Sequence, residues 1–261
     1  MTTADSLYQQ LRGHLAYLKL AAAAEALPAA LDQARAEKLN HTEFLHRLLA
    51  IEVDATEQRR HAGRLRFANF PAPWRLGDYD FTAQPSVDPA LMRDLASCRY
   101  VEDATNVLLI GPPGVGKTHL AIALGHAAVE PGLRTYYCTA ADLAARCRRA
   151  ALEGRWANTM RFFNGPTVLI IDELGYLPMP AEDANALFHV IAQRYLRGSI
   201  ILTTNRGVAS WGDIFDDTTI AAAMLDRLLH RSAVINITGD SYRMRAHQAR
   251  NRQLTPKGAS A

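Results

Sequence analysis

The stretch from Gly111 to Thr118 reads GPPGVGKT and fits the phosphate-loop pattern G-x-x-x-x-G-K-T at every fixed position. It follows the apolar segment NVLLI and leads into the helical segment THLAIALGHAAV, which is the strand, loop and helix context that the pattern requires. Glycines let successive backbone N–H groups turn inward around phosphate oxygens, and the helix N-terminus adds positive potential. The loop therefore predicts a nucleotide-binding site.

Each residue of this loop, with the histidine that follows it, is a candidate for contact with the nucleotide. We expect Lys117 to reach the β- and γ-phosphates and the Thr118 hydroxyl to ligate Mg²⁺. The predicted nucleotide-contacting residues are Gly111, Pro112, Pro113, Gly114, Val115, Gly116, Lys117, Thr118 and His119.

The segment TVLIIDEL supplies the second half of the predicted site. Four apolar residues, 168–171, run into Asp172 and Glu173 at the carboxyl end of a predicted strand. We expect Asp172 to hold the metal through its water shell and Glu173 to orient and deprotonate an attacking water. A kinase must exclude water, so an acid placed to activate it indicates hydrolysis. The alternative is an exposed pair of acids in a turn.

A polar amide ends the next predicted strand, SIILTTN. Asn205 at its tip would lie beside the two acids, where it could hydrogen-bond the γ-phosphate or the attacking water. We favour this catalytic role because the strand follows the acid-bearing strand in the chain. The alternative is a turn-forming asparagine before Arg206 and Gly207.

Short apolar segments rich in β-branched residues alternate with helical segments in the rest of the chain. Continuous apolar strands of this kind are typical of a parallel sheet covered on both faces. We therefore predict an α/β fold, a P-loop core with a parallel five-stranded sheet between helices. The predicted strands are NVLLIG, RTYYCT, TVLIID, SIILTTN and AVINIT.

The N-terminal part, residues 5–67, shows apolar residues at helical spacing and predicts a small helical domain. We expect one of its helices to begin near Pro28, because proline is tolerated in a first turn. Prolines, a glycine and aromatics in residues 70–81 then indicate an extended strap. The predicted divisions are a helical domain at 1–69 for partner or DNA contact, an ATPase domain at 70–242 and a basic tail at 243–261.

Composition excludes several classes of protein. The net charge is +3, and residues 243–261 carry five Lys or Arg and no acid, which suits a polyanionic partner or a solvated tail. Three cysteines without paired spacing argue against disulfides and zinc. The chain has no apolar run near the length of a membrane span and no secretory signal pattern, so we expect a cytoplasmic protein without a membrane partner.

The motifs resemble known families when they are taken together. GPPGVGKTHLA, LIIDELGYLP and SIILTTN, in this order, resemble the AAA+ ATPases. IDELGYLP, LDRLLHRSAVINITGDSYR and FANFPAPWRLGDYDF resemble the IstB-like helper ATPases of insertion-sequence transposition, within the initiator and helicase-loader clade of DnaA and DnaC. The resemblance covers nearly the whole chain. It implies Mg²⁺-dependent hydrolysis of ATP to ADP and phosphate.

The resemblance also implies that ATP is hydrolysed at subunit interfaces of a homo-oligomer, where a neighbour donates an arginine finger. The candidates are Arg227 and Arg231 in LDRLLHRS, with a slight preference for Arg227. Arg243, in GDSYR, resembles a second sensor arginine that contacts the nucleotide from its own subunit. Each of these arginines could instead form a surface ion pair.

A run of arginines after the second predicted strand is a candidate DNA-binding surface. In initiator-type ATPases this region holds a helix that faces the central channel, and arginines there would neutralise phosphates without reading bases. An ordinary basic helix face is equally compatible with the pattern. No helix-turn-helix pattern indicates sequence-specific readout. The candidates are Arg146, Arg148, Arg149 and Arg155.

The function implied by the resemblance is that of a DNA-binding helper in transposition. ATP binding would drive assembly on duplex DNA, largely independent of sequence, and recruit or activate a cognate transposase through the N-terminal helices. Hydrolysis would then reset the assembly. The nearest alternative is a DnaC-like loader of a replicative helicase, and more distant ones are a P-loop kinase and a non-hydrolysing scaffold.

Overall fold

The structure is a computed structural model that describes residues 3–176, 179–215, 217–242 and 244. The chain forms two compact units, one ending at Gly63 and one beginning at Arg64. Each unit has a hydrophobic core of its own. The predicted boundary near residue 70 remains a prediction.

The first unit is helical, as the sequence predicted. Its helices are α1 (Thr3–Tyr17), α2 (Ala21–Glu37) and α3 (His41–Ala68), the last of which continues past Gly63. A small core forms where α1, α2 and α3 pack together. Its buried residues are Leu15, Ala23, Leu27 and Leu48.

The expected helix start at Pro28 is wrong, because Pro28 lies inside α2. The chain instead breaks between α1 and α2, where Lys19 takes a left-handed backbone conformation with φ of 61°. Ala23 and Leu27 are buried ahead of Pro28, in turns of α2 that a helix starting at Pro28 would not contain. Tertiary packing here outweighs the helix-breaking tendency of proline.

A buried acid fastens α2 to α3 in this unit. The Glu52 carboxylate accepts the backbone N–H of Ala23 at 3.0 Å, one of the N–H groups that the first turn of α2 leaves without a helical partner. Arg59 donates to the same carboxylate at 2.6 Å. These hydrogen bonds, the one from Ala23 first, lower the pKa of Glu52.

The second unit is built on a parallel sheet, which confirms the predicted fold class. Among the described residues the sheet has five strands in the order β2-β3-β4-β1-β5, and all four pairings are parallel. The carboxyl ends of β1, β3 and β4 therefore lie side by side. The strands are β1 (Asn106–Ile110), β2 (Thr135–Thr139), β3 (Val168–Leu174), β4 (Ser199–Thr204) and β5 (Ser232–Asn236).

Helices cover both faces of this sheet. Their first turns are capped where the sequence provides a suitable residue, as at Thr139, whose side chain accepts the Asp142 N–H. Three 3₁₀ turns, Leu76–Asp78, Arg99–Val101 and Val208–Ser210, join the regular elements. The helices are α4 (Pro89–Ala96), α5 (Lys117–Val129), α6 (Ala140–Leu152), α7 (Trp156–Asn164), α8 (Ala181–Arg194), α9 (Trp211–Phe215) and α10 (Thr218–Leu229).

Strand β3 lies between β2 and β4, and its packing shows why its sequence is continuously apolar. Val168 and Ile170 pack into the core on the α5 side, whereas Leu169 and Ile171 pack into the core on the α6 and α8 side. Full burial of each such side chain contributes about 1.5–3 kcal/mol. The polar residues Asp172 and Glu173 therefore lie near the carboxyl end of the strand.

A buried arginine ties the other end of the sheet together. Arg194, at the end of α8, is 2% exposed and donates to the carbonyl oxygens of Phe163, Pro166, Thr167 and Ser199 at 2.8–3.2 Å. Burial lowers the pKa of its guanidinium to about 10. The contacts fix the start of β3 and β4 and thereby the register of both strands.

No helix within the described ranges is long and apolar enough to cross a membrane.

Candidate functional site

The predicted phosphate loop joins β1 to α5. Its glycines are needed for geometry: Gly114 and Gly116 have φ of +85° and +94°, which favour glycine. A Cβ at Gly111 would overlap the carbonyl oxygen of Ile237, so only glycine fits there. Helix α5 begins directly after Gly116, and its first N–H groups are available to an anion.

Lys117 is held against this loop. Its side chain is buried, and its ammonium donates to the carbonyl oxygens of Gly111 at 2.7 Å and Pro112 at 2.8 Å. The next residue, Thr118, donates its hydroxyl to Asp172 Oδ1 at 3.1 Å. The loop, the lysine and the acid of β3 thus form one continuous site.

Asp172 is the most enclosed acid of the site, with 1% of its surface exposed. Besides the Thr118 contact, its Oδ2 accepts the Tyr137 hydroxyl at 2.7 Å and its Oδ1 accepts the Thr203 hydroxyl. Burial, and then the hydrogen bond to Asp172, raise the pKa of the Tyr137 phenol well above its ordinary value. Tyr137 therefore remains a hydrogen-bond donor to the carboxylate at physiological pH.

The backbone conformation of Glu173 differs from that of Asp172. Its φ is +64°, a strained conformation for a residue with a Cβ, and the pairing of β3 with β4 shifts register between Ile171 and Leu174. The bulge turns Glu173 toward the cavity beside the phosphate loop, where it is exposed. Strain of this kind is concentrated at functional sites.

The cavity has a volume of about 390 Å³, which is large enough for a nucleotide-sized ligand. Trp74 stacks on His119 with ring centroids 5.2 Å apart, and Tyr79 meets the same imidazole edge-on at 5.4 Å. Together these rings give one wall an aromatic character. The lining residues are Trp74, Asp78, Tyr79, Asp80, Gln84, Gly114, Gly116, Lys117, Thr118, His119, Glu173, Tyr176 and Tyr242.

Several of these residues were not expected from the sequence. The sequence predicts the aromatic strap as a segment but does not assign Trp74 and Tyr79 to the site. The aromatic residues of the strap, just before the phosphate loop, were the sequence feature that could have placed Trp74 and Tyr79 in the site. No comparable feature marks Tyr242. Tyr242 is brought in by its backbone N–H, which donates to the Gly114 carbonyl at 3.0 Å.

Asn205, Arg227 and Arg231, which were also predicted to be catalytic, are not among the lining residues of the cavity. Asn205 follows β4 beside β3, and its Oδ1 is shielded from solvent without a hydrogen-bond partner in the described chain. Arg227 donates to the Ala223 carbonyl at 2.8 Å and stacks over Phe188. Arg231 is exposed directly before β5. Arg243 lies outside the described residues.

The four predicted DNA-binding arginines are all exposed on α6 or just after it, but they differ in their contacts. Arg146 stacks on the Phe162 ring at 3.7 Å to the centroid, Arg148 pairs with Asp183 and Arg155 pairs with Glu153. Arg149 also lies on this surface, at the last turn of α6.

The comparisons with known proteins match this architecture. A family model described as "IstB-like ATP binding protein" matches residues 13–250. A protein named as an ATP-binding protein of insertion sequence IS5376, from Geobacillus stearothermophilus, is 43% identical over 87% of this chain and 91% of its own. Another, named for insertion sequence IS21 of Pseudomonas aeruginosa, is 45% identical over 82% of this chain and 81% of its own.

Solved structures show the same fold at lower identity. AMPPCP-bound DnaA from Aquifex aeolicus has a TM-score of 0.56 and 17% identity, over 74% of this chain and 59% of the DnaA chain. The DnaC helicase loader has a TM-score of 0.50 and 24% identity, over 66% of this chain and 99% of the loader. With the P-loop geometry and the match across most of its length, the chain belongs to the IstB-like ATP-binding protein family, and its second unit has the AAA+ fold.

Proposed function

We propose that this protein is a Mg²⁺-dependent ATPase that binds duplex DNA as a homo-oligomer and assists a transposase of an insertion sequence. The observation that carries the hydrolytic part is that Lys117 and Glu173 line one cavity, while Asp172 is hydrogen-bonded to Thr118 of the same lining. The insertion-sequence names of the relatives support the transposition part. We infer that the protein acts in the cytoplasm, where bacterial DNA lies.

The residues at the loop fit Mg²⁺. Thr118 and Asp172 present a hydroxyl and a carboxylate oxygen 3.1 Å apart, and hard oxygen ligands are those that Mg²⁺ prefers. Asp172 is buried among neutral hydroxyl donors, so a cation would balance its charge. Bound Mg²⁺ would neutralise negative charge on the β- and γ-phosphates during transfer. Lys117 would exchange its loop carbonyls for phosphate oxygens.

Glu173 would act on the attacking water. Its exposed carboxylate lines the cavity beside Lys117, which suits a general base for a water at the γ-phosphate. Asn205 would orient that water, whose O–H would donate to the unsatisfied Oδ1, or would donate its side-chain N–H to the γ-phosphate. The exposed acid beside the loop favours hydrolysis over transfer to a small-molecule acceptor, because a kinase must exclude water from this position.

An arginine from a second copy would complete the site. Of the two candidates, Arg231 is the better placed, because it is exposed and its side-chain contact within the described residues is with the backbone oxygen of Asp103, at 3.2 Å. Arg227 is half-buried and occupied by Phe188 and its own helix. We therefore propose Arg231, rather than the slightly preferred Arg227, as the arginine finger. Hydrolysis would then depend on assembly.

The function is tested by measuring ATP turnover and particle size together, with and without long duplex DNA. We expect ATP to increase particle size and DNA to increase turnover, because assembly would bring the arginine of one subunit to the site of the next. The variant Lys117→Ala serves as the control and should show neither response. Turnover that is unaffected by DNA and by protein concentration would contradict the proposal.

The DNA contact is expected to be electrostatic. Affinity should fall with salt, with a slope of log K against log salt near −0.9 for each phosphate neutralised. We expect Arg149→Ala to reduce that slope by about 1 and to weaken binding equally on unrelated duplexes. Arg93→Ala, an exposed arginine on α4, is the control for loss of one charge. An unchanged slope for Arg149→Ala would remove this surface from the DNA contact.

A helicase loader remains the alternative. The fold shared with the DnaC helicase loader supports the loader function. The relatives that match most of the chain, however, carry insertion-sequence names. Capture of a cognate transposase rather than a replicative helicase by the full-length protein would separate the two functions. We propose that the helical first unit makes this contact.

A further inference from the structure

Asp172 is surrounded by hydroxyl groups from three separate elements. Thr118 reaches it from the start of α5, Tyr137 from β2 and Thr203 from β4. A carboxylate has room for about four hydrogen bonds, and these three donors use most of that capacity. No Lys or Arg among the described residues forms an ion pair with Asp172. Neutral donors hold this carboxylate without cancelling its charge.

The sheet order explains how two of these hydroxyls reach the acid. β2 and β4 flank β3, so Tyr137 and Thr203 approach Asp172 from opposite sides. Tyr137 is level with Ile170, two residues before Asp172, and side chains two apart on a strand share a face. The Tyr137 ring can therefore lie along the strand and place its hydroxyl on Asp172 Oδ2.

Thr203 also contacts the neighbouring acid. Its hydroxyl oxygen accepts the backbone N–H of Glu173 at 2.9 Å while its proton is donated to Asp172. That N–H belongs to the residue with φ of +64°, at the register shift of β3. One hydroxyl thus fixes both the side chain of Asp172 and the backbone of Glu173.

We propose that Tyr137 and Thr203 are positioning residues that form a hydroxyl clamp on Asp172, and that this clamp sets the affinity of the site for Mg²⁺ and the aim of Glu173. The inference rests on the proposed ATPase function. Ligand carboxylates are oriented by hydrogen bonds from residues behind them, and loss of such a partner typically costs about 10–100-fold in metal affinity or activity.

Tyr137→Phe tests the clamp, because it removes the hydroxyl and keeps the buried ring. The measurement is the Mg²⁺ concentration that gives half-maximal binding of a fluorescent, non-hydrolysable ATP analogue to the full chain. We expect this midpoint to rise about 10-fold, with analogue binding in EDTA unchanged. Tyr100→Phe is the matched control, because its hydroxyl is also shielded from solvent but has no partner within the described ranges.

Thr203 gives an independent test if Tyr137→Phe does not fold. Thr203→Val should raise the Mg²⁺ midpoint and lower ATP turnover, and Thr203→Ser, which keeps the hydroxyl, should restore both. Equal midpoints in the wild type and in Tyr137→Phe or Thr203→Val would overturn the clamp alone. Analogue binding by the wild type that does not respond to Mg²⁺ would overturn the clamp and the proposed ATPase function together.

Discussion

Glu173→Gln is expected to reduce ATP turnover by about 10²–10⁴-fold while leaving ATP binding intact. Glutamine keeps the shape and the hydrogen-bonding reach of the side chain but cannot accept a proton from water. Phosphate contacts are expected from Lys117 and the loop, so affinity for ATP should change little. Turnover is measured by phosphate release, and affinity by equilibrium binding of ATP.

The same substitution should stabilise the assembled state. If ATP promotes assembly and hydrolysis ends it, a subunit that binds ATP without hydrolysing it remains in the ATP-bound form. We expect Glu173→Gln to stay as large particles on DNA after wild-type particles have dispersed, as followed by light scattering.

Glu182→Gln is the control for the change from acid to amide, because Glu182 is exposed in the first turn of α8. It should retain wild-type turnover and dispersal. Should Glu173→Gln hydrolyse ATP at the wild-type rate, Glu173 is not the base. Its strained backbone would then need another explanation, such as the geometry of the β3 bulge alone.

The fold and the centre of the site were predictable from local sequence. Strand β3 is apolar at successive positions because both faces are covered, and that pattern is visible without knowing the neighbours. The backbone of the segment from Gly111 to Thr118 sets the geometry of the phosphate loop, because the left-handed glycines lie directly before the start of α5. Asp172 and Glu173 stand out because they end an apolar run.

The supporting contacts depend on strand order, which local patterns do not contain. Tyr137 reads as one more strand residue, and it reaches Asp172 only because β2 lies beside β3. Thr203 likewise looks like an ordinary β-branched strand residue, and it reaches Asp172 only because β4 lies on the other side of β3. In α2, the burial of Ala23 and Leu27 decided where the helix begins, so the rule for Pro28 failed.

Contacts within the chain distinguish the arginines of the predicted DNA-binding surface from one another. The arginines of α6 formed one group in the sequence, because their spacing and charge are alike. In the structure Arg146 lies on an aromatic ring and Arg148 beside an acid, so binding phosphate would cost each of them an existing contact. Arg149 is therefore the arginine whose substitution tests this surface.

Arg231→Ala is expected to reduce turnover by about 10³-fold or more, the range attributed to an arginine finger, without loss of ATP binding. The effect should come from the neighbouring subunit, because Arg231 lies at the amino end of β5 whereas the phosphate loop follows the carboxyl end of β1, the strand parallel to it. Within one copy the length of the sheet separates the two. A neighbour can bring its own Arg231 to the cavity.

Mixing two inactive variants tests this directly. Glu173→Gln lacks the acid but keeps the arginine and is expected to bind ATP and assemble, and Arg231→Ala has the reverse defect. With random mixing, about a quarter of the interfaces would combine an intact acid with an intact arginine, so turnover should reappear in the mixture. Arg227→Ala, mixed in the same way, is the comparison and is expected to keep its own turnover. Failure of every mixing ratio to restore turnover would place the role of Arg231 within its own subunit, and the site would then be complete without a second copy.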